Sequence, residues 1–143
     1  MSLPGMLYAV GAAITWGVVY TIDQHILKGI PAVELLVVNA IVTAVVTAPL
    51  LLFRRIGPTL DSIPPATWAL MIASVFLAAV ANLLIFSSIK RLGASTASVF
   101  EIAYPLFVVL FSYGFLKVKP SSSFLVGAVL VLAGSAIIIA TGS

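Results

Sequence analysis

Glu101 is the one acid in this sequence that sits well inside an apolar run, seven residues beyond Ala94. On a helix that spacing is ~10 Å of depth. A carboxyl so far from water is costly to charge, so it suits reversible protonation or capture of a ligand as its exposure changes. Helical spacing of about 100° per residue puts Ala94, Ser98, Glu101, Pro105 and Ser112 within about 60° of one another. Pro105 falls four residues after the acid. Its ring opposes the carbonyl of residue 101 and removes one helical hydrogen bond, which bends the chain beside the carboxyl. Tyr104 lies about 60° round the same helix.

Two further stripes repeat the pattern. Asn39, Thr43 and Thr47 recur at i, i+4 and i+8, as do Ser74, Ala78 and Asn82. Trp16 lies in the middle of another apolar run, where its ring can line a cavity with Thr15, Gly17 and Tyr20 and offer a face to a flat or cationic ligand. The chemistry expected of Glu101, Ser98, Tyr104, Asn39, Asn82 and Trp16 is solute binding and proton coupling. Helix packing alone accounts equally well for the small and hydroxyl residues, which line contacts between membrane helices in any case.

The elements that must position these residues are five apolar stretches, at Gly5–Leu27, Val33–Phe53, Trp68–Ile89, Ala94–Leu116 and Phe124–Ala140. About 20 apolar residues cross ~30 Å of hydrocarbon. The chain is 62% hydrophobic and 8% charged, with a mean hydropathy of +1.27. A water-soluble domain carries about 25% charged residues. In lipid the backbone must satisfy its own hydrogen bonds, so the runs are expected to be helices. A β-barrel needs ~10-residue strands of alternating polarity, which these runs lack. The fold class is therefore all-α, with five transmembrane helices in a single domain over residues 1–143 and a multi-pass placement in the cell (inner) membrane. Met1 to Pro4 carry no basic residue, and the first run is read as a retained helix rather than a cleaved leader.

Connections follow from turn residues: Gly29 and Pro31, Gly57-Pro58, Pro64-Pro65, Gly93, and Lys117 to Ser123. Trp68 stands where an interfacial tryptophan belongs. Asp23, His25 and Glu34 cluster near the ends of the first two spans and are expected to be wet. His25 has no second His or Cys to share a metal with, and the chain has no cysteine. No metal and no cofactor are expected. Gly127 and Gly134 are seven residues apart, nearly on one helix face, as close helix contact requires.

Five crossings put the two ends on opposite sides. Arg54, Arg55, Lys117 and Lys119 then fall on the side of Met1, and Lys28, Lys90 and Arg91 on the other, four against three. Such a small excess barely biases orientation. Insertion in both orientations, with antiparallel pairing, is compatible with it. The basic residues sit singly or in pairs at helix ends, so the net charge of +3 is no sign of nucleic-acid binding.

The stretch Ile89-Lys90-Arg91-Leu92-Gly93-Ala94-Ser95-Thr96-Ala97-Ser98-Val99, then Pro105-Leu106-Phe107 and Phe115-Leu116, then Gly127-Ala128-Val129-Leu130-Val131-Leu132-Ala133-Gly134, resembles an EamA domain of the drug/metabolite transporter superfamily. Trp16-Gly17 resembles the same domain. The similarity covers nearly the whole chain. Members often carry Leu-Gly-Glu after the fourth helix, where this chain has Leu116-Lys117-Val118-Lys119. Most proteins it resembles hold two such domains in opposite orientations. The resemblance implies an EamA-like half-transporter, an exporter of small organic solutes or metabolites that pairs with an inverted copy of itself. A lipid-headgroup flippase subunit, or a scaffolding or regulatory membrane subunit without transport, are the rival expectations. A channel lacks its charged rings or glycine filter, and an enzyme lacks a nucleophile–base pair.

Overall fold

A computed structural model of the chain describes residues 3–54 and 62–141, with the side chains of 51–54 left aside. Its helices are α1 (Leu3–Ile26), α2 (Ala32–Arg54), α3 (Pro65–Leu92), α4 (Ala94–Glu101), α5 (Tyr104–Leu116) and α6 (Ser122–Thr141). No strand occurs among the described residues. The chain is an all-α membrane protein: α1, α2, α3 and α6 are each long and apolar enough to cross a bilayer, and α4 with α5 make a further crossing over Ala94–Leu116. The five expected spans are all present, each within a few residues of its expected ends. The Gly57-Pro58 turn, Arg55 and the C-terminal Gly142-Ser143 lie outside the described residues.

Large apolar side chains are exposed along the described helices, from Leu3 on α1 to Ile138 on α6. Apolar exposure on helices long enough to span a bilayer has lipid as its solvent. The chain forms two compact units: Met1–Tyr20 with Arg91–Ser143, and Thr21–Lys90.

In the Thr21–Lys90 unit, α1 tightens as it ends. Lys28 N–H donates to the His25 carbonyl at 3.3 Å and Gly29 N–H to Ile26 at 3.0 Å, both three residues back. Pro31 follows and cannot extend the helix. Lys90 Nζ donates to the Ile30 carbonyl at 3.0 Å, tying the end of α3 to this turn. Leu27, Leu35, Phe86 and Ile89 are the buried apolar side chains of the unit. Pro65 opens α3, where its missing N–H costs nothing. Pro49, by contrast, falls inside α2, a position whose consequence the apolar pattern conceals.

In the other unit, α4 starts after Gly93, whose φ of 82° is in the left-handed region that glycine tolerates. In the fourth crossing the helical hydrogen-bond ladder is interrupted at Ile102 and Ala103, both of which keep right-handed helical dihedrals. After Glu101 the backbone passes through Ile102 and Ala103, with Ala103 N–H bonded to Phe100 at 3.4 Å and Leu106 N–H to Ala103 at 3.0 Å. Pro105 has no N–H to return to the Glu101 carbonyl, so the break lies in the hydrogen-bond ladder, as expected of a proline inside a helix. α5 ends at Lys117, whose φ is 57°, and Val118 N–H reaches back to the Ser112 carbonyl at 3.3 Å. A left-handed residue at the end of a helix is a common way to close it. α6 is started by Ser121, whose Oγ accepts from Phe124 N–H at 3.2 Å. α4 and α6 are in contact.

Gly127 and Gly134 do not serve the close contact expected of them within this chain. A methyl group at either would meet nothing within 4 Å. Gly127 instead lines an apolar groove of about 240 Å³, with Ile102, Pro105 and Leu106 at the break and Phe124 and Val131 on α6.

Candidate functional site

Glu101 is the last residue of α4, so the acid sits at the break itself. It is half-buried. The Tyr20 hydroxyl donates to Glu101 Oε2 at 2.6 Å, joining positions 81 residues apart in the chain. That length lies in the ordinary range of an O–H···O hydrogen bond, about 2.5–3.0 Å. Tyr20 is 9% exposed, so the bond is sheltered. One turn earlier on α1, the Trp16 ring lies 5.5 Å from the Tyr20 ring at 54°. Tilted aromatic pairs at such distances are favourable because the positive edge of one ring meets the negative face of the other. Trp16 keeps 50% of its surface open.

The expected residues therefore separate. Trp16 and Glu101 are joined through Tyr20. Ser98, one turn before Glu101 on α4, is half-buried, and its hydroxyl donates to the Ser95 carbonyl at 2.9 Å in its own helix. Tyr104 opens α5 with 62% of its surface exposed. Asn39 on α2 and Asn82 on α3 belong to the other unit and are each half-buried.

Several hydroxyls within the spans are satisfied by their own backbone. Thr47 donates to Thr43 at 2.8 Å, Thr15 to Gly11 at 2.9 Å and Ser135 to Val131 at 2.9 Å. Such bonds four residues back leave the side chain at ease in lipid. A stripe of Ser and Thr thus needs no cavity, whereas the Glu101 carboxylate needs a partner from elsewhere.

Asp23 departs from its expected wet position. It is 4% exposed, and its Oδ2 has no hydrogen-bond partner among the described residues. His25 and Glu34 are exposed. No group of three metal-ligating side chains gathers among the described residues. The residue that reading the sequence undervalued is Tyr20. Its spacing from Trp16 was visible, but nothing along the chain aligned α1 with α4.

The sequence profile of the EamA-like transporter family matches residues 3–140. This chain belongs to the EamA-like transporter family. Its EamA match runs through α1 to α6, so the Tyr20–Glu101 bond and the break at Pro105 both lie inside the family domain. An uncharacterized transporter, YrdR of Bacillus subtilis (strain 168), is 23% identical over 142 residues, covering 97% of this EamA chain and 44% of that protein. The chain therefore spans less than half the length of this relative. No solved structure matches it.

Proposed function

We propose that this EamA-family chain is a secondary transporter, an exporter of small organic solutes in the cell (inner) membrane. It works as an antiparallel homodimer, with substrate reaching a midplane site alternately from each side. The observation that supports the reading is a carboxyl inside a membrane span, held by one tyrosine hydroxyl, where the hydrogen-bond ladder of its helix is interrupted. Interrupted helices are a recurrent basis for binding and coupling in transporters. Glu101 is the proton- or substrate-linked acid. Ser98, Tyr104 and Trp16 of the same unit are its proposed companions, and Asn39 and Asn82 of the other unit are further proposed contacts for solute.

The test is Glu101→Gln in purified protein reconstituted in liposomes. Coupled solute flux is expected to fall at least about tenfold, within the usual range of coupling energies, while assembly stays normal. Wild-type flux from the variant would remove Glu101 from the mechanism. The apolar groove at the break favours one second reading, a lipid flippase. Glu101-dependent movement of labelled lipid headgroups across the same liposomes, without solute flux, would establish it.

A further inference from the structure

Asp23, near the end of α1, is a buried acid that the Glu101 site does not use. It is 4% exposed, and its Oδ2 has no hydrogen-bond partner among the described residues. Its main chain is ordinary helix, with the carbonyl accepting from Leu27 N–H at 2.8 Å. The anomaly is in the side chain alone. The other buried side chains of the unit Thr21–Lys90 are Leu27, Leu35, Phe86 and Ile89, which offer a carboxylate no donor. His25 and Lys28 follow Asp23 on α1 and its turn, Glu34 is in the first turn of α2, and Lys90 is near the end of α3. All four are exposed. None of them forms an ion pair with Asp23 among the described residues. Lys90 Nζ is on the Ile30 carbonyl at 3.0 Å. Tyr20, three residues before Asp23, gives its hydroxyl to Glu101.

A carboxylate out of water needs a cation or several donors, or else it takes up a proton. We propose that Asp23 is a proton-binding residue of this chain, apart from Glu101, neutral while the turn between α1 and α2 is closed and ionised when that turn opens. Leu27 lies one helical turn after Asp23, on the same face, and is 1% exposed. It begins the turn, which is fastened by Gly29 and Ile30 N–H on the Ile26 carbonyl, at 3.0 and 3.3 Å, and by Lys90 on Ile30. Loss of the proton leaves a charge that water must hold. Bringing water to it moves Leu27 and the turn that Leu27 starts. The step is proton exchange with water: the acid O–H bond breaks, its electron pair stays on Asp23, and the proton leaves as hydronium.

The chain has two aspartates, Asp23 and Asp61. In Asp61→Asn protein made with aspartate isotope-labelled at its side-chain carboxyl, Asp23 is therefore the single labelled acid. Infrared spectra of this protein in liposomes distinguish a protonated from an ionised carboxyl directly. The label is expected to report a neutral acid at low pH and a carboxylate at high pH, reversibly. Amide hydrogen exchange, corrected for its intrinsic pH dependence, follows the turn in the same samples. Protection at Leu27, Gly29 and Ile30 is expected to fall about tenfold or more as the acid ionises. In Asp23→Asn, protection at these amides is expected to stay at its low-pH value throughout.

The proposal fails if the labelled carboxyl is ionised at every pH, if it stays neutral at every pH, if it ionises while the three amides keep their protection, or if Asp23→Asn keeps the wild-type pH dependence. The infrared titration leaves Asp23 itself unchanged, so a variant that misfolds does not hide the answer. Solute flux in the same liposomes is read separately. Glu101-dependent flux with Asp23 ionised at every pH leaves a transporter and removes the proton site. A titrating Asp23 without flux of any solute leaves the proton site and removes the transporter.

Discussion

At the scale of the residue, one hydrogen bond organises the candidate site. Tyr20 gives its hydroxyl to an acid that water reaches only in part. Tyr20→Phe removes that donor, keeps the ring beside Trp16, and leaves Glu101 Oε2 without its partner. A hydrogen bond contributes about 0.5–1.5 kcal/mol net. Purified Tyr20→Phe protein in detergent should lose about 1 kcal/mol in denaturant unfolding. No loss would mean that water replaces the tyrosine at no cost. Asp23 is the second residue-level surprise, since an acid near a span end is buried rather than wet.

At the scale of the element, helix ends carry the information. Lys117 stands in the left-handed conformation that closes α5. A non-glycine residue there costs about 1–2 kcal/mol of backbone strain, part of which the more flexible unfolded glycine returns. Lys117→Gly is therefore expected to stabilise the protein by about 0.5–1 kcal/mol in the same unfolding measurement. A destabilised variant would show that the lysine side chain holds something at that cap.

The opposite change is expected at Ser121, whose Oγ caps α6. Ser121→Ala should cost about 1 kcal/mol, and hydrogen exchange should rise first at Phe124 and Leu125. Unchanged exchange at both would mean that the cap contributes nothing. These caps were partly legible beforehand. Pro120 and the Ser121–Ser123 run marked a boundary, and Pro105 marked a disturbance. How far the hydrogen-bond ladder is interrupted beside Pro105 depends on local bonds that spacing does not specify.

At the scale of the whole molecule, the open question is orientation. Basic residues divide four against three between the two sides, too even to bias insertion strongly. The chain has no cysteine, so Ser143→Cys supplies a single thiol without background. Labelling in intact cells with a membrane-impermeant maleimide, before and after permeabilisation, is expected to reach about half of the molecules from outside if insertion is dual. Labelling of all or none would mean one orientation. An antiparallel pair would then need an inverted partner of different sequence, and the self-paired transporter would be excluded.

Composition and periodicity alone determined the solvent, the number of crossings and their helical nature. Each follows from a local requirement: a run of apolar residues long enough for hydrocarbon must satisfy its own backbone. The same reading identified Glu101, because an acid in such a run is conspicuous without any knowledge of its neighbours. Only the tertiary structure chose Tyr20 as its partner, buried Asp23, and left Gly127 and Gly134 facing open space. Those outcomes depend on which faces of helices distant in sequence meet. Almost every face here is apolar, so hydropathy alone cannot rank one pairing above another.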